Sequence, residues 1–169
     1  MPIPEFLRAL RTRIGHELVL LPAVVAAVER ADGRILILQR SDTGEWSLPS
    51  GICEPGEHPS RSIAREILEE TGLRTRPERV LAVFGGPQVE YPNGDRAVYA
   101  TTLFHCRVLG GTLHCADGEA LDLRFVRCGE LPPLRIDALL PAPLATLLTR
   151  PEAAFAWDDA WLEPDPADA

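Results

Sequence analysis

The sequence predicts one α/β domain built on a mixed β-sheet with helices packed on its faces. Three observations carry this. Aliphatic, β-branched segments occur in both halves of the chain, one strongly amphipathic helical pattern lies between them, and turn signals punctuate the intervals. With 169 residues, 46% hydrophobic and 25% charged, the chain is long enough to bury most of its apolar surface as one unit. The body is expected over residues 1–150, with residues 151–169 a Pro- and Ala-rich acidic tail that carries Trp157 and Trp161.

Each element has its own signal. Phe6, Leu7, Leu10 and Ile14 recur at helical spacing, so a short N-terminal helix over about 4–14 should close at Gly15. Its apolar face needs cover, from the body or from a second subunit as a homodimer. Residues 18–28 and 34–39 read as strands joined by Asp32-Gly33, a hairpin signal. A Gly- and Pro-punctuated loop runs from Trp46 to Gly56. Pro59 then suits a first helical position, Ile63, Ala64, Ile67 and Leu68 give an apolar stripe, and Gly72 suits the stop. Residues 80–84, 98–108 and 121–127 read as further strands, with turns at 91–95, Gly110-Gly111 and Asp117-Gly118. A C-terminal helix is expected within 137–148, its regular part confined by Pro141 and Pro143 to the later half.

The net charge of −8 is concentrated at the end, where Glu152, Asp158, Asp159, Glu163, Asp165 and Asp168 follow Pro151 with no basic residue. The body is nearly balanced and has no basic run to track a phosphate backbone, which argues against a polymeric nucleic acid partner. Every cation is an arginine. The absence of lysine excludes a Gly-Lys-Ser/Thr phosphate loop and Schiff-base chemistry. Cys53, Cys106, Cys115 and Cys128 lack zinc-type spacing and read as free or buried thiols of a reducing cytoplasm. Arg8, Arg11 and Arg13 before an apolar stretch imitate a secretory signal, but Glu5, His16 and Glu17 interrupt it and the stretch is too short to span a bilayer.

The distinctive chemistry lies at 51–73. Glu66 and Glu70 stand one helical turn apart with Glu69 beside them, so three carboxylates share a stripe that the sequence places opposite the apolar one. Like charges so spaced destabilise a helix, and its C-terminal end disfavours them further. A hard divalent cation relieves both effects. Magnesium suits such a site because it takes a few carboxylates, keeps waters and bridges to phosphate oxygens; manganese is the alternative. An isolated Glu-x-x-Glu-Glu is more often a solvated acidic face. The spacing around this one reverses that judgement.

From Gly51 the chain reads Gly-x5-Glu-x7-Arg-Glu-Ile-x-Glu-Glu-x-Gly-Leu, ending at Leu73. Average residue usage gives that combination in roughly one chain in ten million. It resembles the Nudix box at every specified position, and Trp46-Ser47-Leu48-Pro49 extends the likeness upstream. The resemblance implies a Nudix-like α/β/α sandwich and a hydrolase that uses metal-activated water to cleave the pyrophosphate bond of a nucleoside diphosphate linked to another moiety. Carried over, Glu66, Glu69 and Glu70 are the carboxylate ligands, with the backbone carbonyl of Ser50 as a further ligand where many members have glycine. Gly51 and Gly72 are structural. Glu57 and Arg65 tie loop to helix, or Arg65 reaches a substrate phosphate. The general base is Glu69 or Glu119, which lies just before a late strand.

Two further residues bear on the substrate. Arg40, at the end of its strand, either chelates phosphate oxygens or is an ordinary surface residue. Tyr91 falls where some dinucleoside polyphosphate hydrolases of the family stack a base, yet it also opens a Pro-Asn-Gly-Asp turn. Val89 occupies the place of the proline that marks ADP-ribose hydrolases, and neither the Gln-Pro-Trp-Pro signature of NADH-cleaving members nor the coenzyme A signature is present. Nucleoside triphosphates, nucleotide sugars such as ADP-ribose, and dinucleoside polyphosphates all remain open as small nucleotide substrates. The alternatives are a non-catalytic nucleotide sensor, against which the intact carboxylate set argues, and a protein-interaction module that makes contact through its acidic tail.

Overall fold

A computed structural model describes residues 3–115 and 118–155. Asp117 of one expected turn, and Trp157 and Trp161 of the tail, lie outside the described residues. The described chain forms helix α1 (Glu5–Ile14), strands β1 (Val19–Glu29), β2 (Arg34–Arg40), β3 (Trp46–Ser47) and β4 (Ser50–Ile52), helix α2 (Pro59–Thr71), strands β5 (Leu73–Gly85), β6 (Val89–Glu90), β7 (Arg96–Gly111) and β8 (Ala120–Arg127), helix α3 (Leu144–Thr149) and strand β9 (Ala154–Phe155).

These strands make one mixed sheet, with the path β3-β2-β1-β7-β5-β9 and with β4, β6 and β8 pairing onto β1, β7 and β2. The long parallel pairing of β1 with β7 and the antiparallel pairing of β7 with β5 form its centre. Alternation along β1 divides the core between the two faces. Val25 and Ala27 join Leu144 and Leu147 of α3, and Leu21 joins Leu7 of α1. On the other side Val24, Ala26 and Val28 meet Ile63 and Ile67 of α2. The result is the expected helix–sheet–helix sandwich. Of the apolar face of α1, Leu7 is buried on the chain's own sheet with Phe6 partly covered beside it, whereas Leu10 stays 37% exposed.

Several elements differ from the sequence reading, each for a local reason. The Asp32-Gly33 turn closes as expected, with the Gly33 N–H donating to the Arg30 carbonyl. Above it β1 and β2 pair only at Glu29 and Ile35 and then part. The edge of β1 is taken by β4 at residues 23–25, and β2 turns to β8. That divergence opens the sheet beside α2. Strand β5 begins at Leu73, well before position 80, because shifts of register on either side of Pro77 let it continue despite the missing donor. The C-terminal segment divides as Pro141 and Pro143 require, into a single 3-10 turn (Asp137–Leu139) and α3. Among the described residues no helix is long and apolar enough to cross a membrane.

Candidate active site

Helix α2 starts where Pro59 stands in its first turn and ends on Gly72, which adopts the left-handed conformation with φ 71°. A side chain on Gly72 would meet His114 at 2.3 Å. The buried face of the helix differs from the stripe read from the sequence. Leu68 is exposed, whereas Glu66 and Glu70 lie with Ser62, Ile63 and Ile67 on the covered side, 5% and 7% exposed. The carboxylates are thus beside the apolar stripe, not opposite it. The reason is angular: Ile63 sits about 60° from Glu66 and about 20° from Glu70 around the axis, so burying it draws both acids inward.

Gly51 explains how a charged residue fits there. In β4 it pairs with Val24 and faces α2, and a Cβ at this position would lie 2.1 Å from Cδ of Glu66. The missing side chain is the room that Glu66 occupies. Burial pushes the Glu66 carboxyl up to about 7, against the opposing pull of Arg65. Glu70 turns to the neighbouring residue of β4, accepting the Ser50 N–H at 3.3 Å.

Arg65 is the hub of the loop–helix connection. Its Nε and Nη2 donate to the two carboxylate oxygens of Glu57, both at 3.0 Å, and Nη1 donates to Glu66 at 3.1 Å and Glu69 at 2.9 Å. The paired geometry holds the Glu57 carboxyl down at about 2 and raises the guanidinium. Ser62, which the sequence reading passed over, completes the clamp: fully buried, it donates to Glu57 at 2.8 Å. Its signal was its place one turn before Glu66 on the same stripe.

On the other side of Glu70, the parting of β2 from β1 leaves a cleft of about 50 Å³ lined by Leu38, Arg40, Ser41, Asp42, Glu70 and Glu119. The Ser41 N–H donates to the Glu119 carbonyl and holds the two walls together. Arg40 is oriented by Asp42, which accepts from Nε at 2.9 Å and which the sequence reading also missed, two residues from Arg40. Asp42 raises the Arg40 guanidinium, and Glu70 and Glu119 add to the effect. The structure therefore gathers Ser50, Gly51, Glu57, Arg65, Glu66, Glu69 and Glu70 along one side of α2, and Arg40 and Glu119 beside Glu70. Tyr91 is not a lining residue of this cleft; its hydroxyl is hydrogen-bonded to that of Tyr99.

The donor set is hard oxygen throughout, which fits magnesium or manganese. A carboxylate kept where burial penalises its charge, as at Glu66, has reason to be there if a cation relieves it. Among the described residues no three acidic, His or Cys side chains already converge as a cage. Glu69, 54% exposed, is instead drawn to Arg65. A cation site that included Glu69 would need its carboxylate to turn from the guanidinium toward Glu66 and Glu70.

Residues 19–147 match the NUDIX domain. The chain is similar to a MutT-like protein of Streptomyces ambofaciens, 38% identical over 89 residues, and spans about half the length of that relative, the match covering 53% of each chain. It is also similar to an ADP-ribose pyrophosphatase of Methanocaldococcus jannaschii, 33% identical over 126 residues, 72% of each chain. Among solved structures, an ADP-ribose pyrophosphatase from Streptococcus suis superposes with a TM-score of 0.61 at 26% identity, covering 82% of this chain and 98% of that one.

Proposed function

Because the chain belongs to the Nudix family of hydrolases, we propose that it cleaves the pyrophosphate link of a small nucleoside diphosphate derivative with magnesium, or manganese, held on α2. The observation that carries this reading is the pair of buried acids Glu66 and Glu70 beside Ser50, at the edge of a cleft whose other lining residues include Arg40 and Glu119. Glu66, Glu69 and Glu70, with the Ser50 carbonyl, would hold the cation. When bound it supplies activation of water and neutralises charge on the leaving phosphate.

The chain's own residues do the rest. Glu57 and Ser62 fix Arg65, which steadies Glu66 and Glu69 at the helix surface. Arg40, aimed by Asp42, grips phosphate oxygens in the cleft. The proton of the attacking water passes to Glu69 or Glu119. Tyr91, engaged with Tyr99, shapes the hairpin between β6 and β7, and Tyr91→Ala should then affect dinucleoside polyphosphates and nucleoside triphosphates alike. A cytoplasmic setting suits four thiols that are all unbridged.

The test is a nucleotide panel of triphosphates, ADP-ribose and other nucleotide sugars, and dinucleoside polyphosphates, run with magnesium or manganese and with both products identified by mass. The expected result is metal-dependent release of a nucleoside monophosphate or diphosphate from at least one class. No hydrolysis of any class with either metal would overturn the reading. Comparing Glu69→Gln with Glu119→Gln then separates the two bases, since only loss of the base should remove the acidic limb of the pH–rate profile.

A further inference from the structure

Pairing of β2 with β8 gathers three arginines that the sequence keeps apart. Arg34 and Arg127 are direct cross-strand partners at the end of this pair, on the face from which Leu36 packs toward α2. Phe125 lies opposite Leu36, two residues along, and the guanidinium of Arg30 stands over its ring, 4.7 Å from the centroid. That stack fixes Arg30 on the same face, beside the Arg34–Arg127 pair.

Such an arrangement is a liability on its own. Positions directly opposite on two strands hold their Cβ atoms about 4.5–5.5 Å apart, and like charges so placed repel. One carboxylate serves the group, and it is mostly spent on Arg30. Asp32 accepts from Nε and Nη2 of Arg30 at 3.1 and 2.6 Å. From Arg34 it takes the backbone N–H at 3.3 Å, while the Arg34 Nε lies 3.6 Å away. Arg127 is exposed and, among the described residues, makes no side-chain hydrogen bond or ion pair. Two guanidinium groups with unused donors therefore stand side by side, with a third fixed next to them.

We propose that Arg34 and Arg127, flanked by Arg30, bind a phosphate group at a site separate from the cleft. A carboxylate has two oxygens in one plane and satisfies a single guanidinium fork, whereas a tetrahedral phosphate presents oxygens to two forks at once. Its charge also relieves the repulsion across the strand pair. Six residues of β2 separate Arg34 from Arg40, about 20 Å of strand, so this phosphate is not the one being cleaved. The site accordingly does not rest on the proposed hydrolysis. Its ligand is a free phosphate or a phosphodiester of a nucleic acid strand, which offer the same oxyanion.

Nuclear magnetic resonance of the arginine Nε–H groups tests this on the nitrogen-15-labelled full chain in EDTA and low salt. One titration uses inorganic phosphate, the other decauridylate without a terminal phosphate. The Arg34 and Arg127 resonances, assigned by loss in Arg34→Gln and Arg127→Gln, should shift saturably with at least one probe. Each substitution should weaken that binding by at least about tenfold, the scale of one charge-assisted hydrogen-bonded contact. Arg13→Gln, the same change of charge on exposed α1, should leave it unaltered. Tighter binding of decauridylate, with a salt slope that falls by roughly 0.7 for each arginine removed, identifies a phosphodiester as the ligand. Binding of inorganic phosphate as tight as that of decauridylate identifies free phosphate. No shift with either probe in the unsubstituted protein would overturn the proposal. So would an Arg13→Gln chain that loses as much affinity as Arg127→Gln, because diffuse charge would then be the cause.

Discussion

Single residues at this site are defined by what lies against them. Gly51 was legible in the sequence as a motif position, yet its reason is visible only in three dimensions, because its absent Cβ is the space filled by Glu66. Gly51→Ala must therefore displace Glu66. Its activity should fall by about the same factor as that of Glu66→Gln, while the far-ultraviolet circular dichroism stays that of the parent. Glu69→Gln and Glu70→Gln should each lower kcat at saturating magnesium by at least about a hundredfold, the scale set by loss of a general base or of an ion's ligand. Values within a few-fold of the parent would remove both residues from the mechanism. Ser62 and Asp42 were not legible, since a serine or an aspartate has no periodic signature and each acts through a charged neighbour, Glu57 or Arg40.

At the scale of elements, α2 is held at both ends. Its C-terminal stop depends on Gly72, where a side chain would be strained by the positive φ and would press on His114 and on the Thr112 carbonyl. Gly72→Ala should cost about 1–3 kcal/mol, seen as a fall in Tm of about 2–4 °C per kcal/mol. Nearer its start, the Glu57–Arg65 clamp gives stability a pH dependence. The Glu57 carboxyl lies at about 2, below its ordinary 4.5. Its contribution is thus complete above about pH 4.5 and is lost as pH falls toward 2. Urea titrations from pH 6 to pH 2.5 should show a steeper acid loss for the parent than for Glu57→Gln, and equal slopes would show that the clamp does not stabilise the fold. The helix itself was plain from its period. Its buried face was not, because polarity assigned the carboxylates to solvent, whereas the glycine of β4 and the hydrogen bond from Ser50 draw two of them inward.

For the whole molecule, a three-layer sandwich brings together residues that the sequence keeps far apart. Arg40 ends one strand and Glu119 precedes another, yet both line the cleft beside Glu70 because β2 leaves β1 for β8. Hydrophobic periodicity made the long strands and α2 legible. It did not show that divergence, since Asp32-Gly33 specifies a turn and not the path of the strands above it. The short strands β3, β4, β6 and β9 were likewise hidden, each two or three residues being too few to show an alternation. The proposed function turns on the binding of a divalent cation at α2. Electron paramagnetic resonance of manganese, titrated into the full chain with and without nucleotide, reads that ion directly. Bound manganese in the parent, with affinity at least about tenfold weaker in Glu70→Gln, is the predicted result. No bound signal in the parent, or the same affinity in both proteins, would contradict the account.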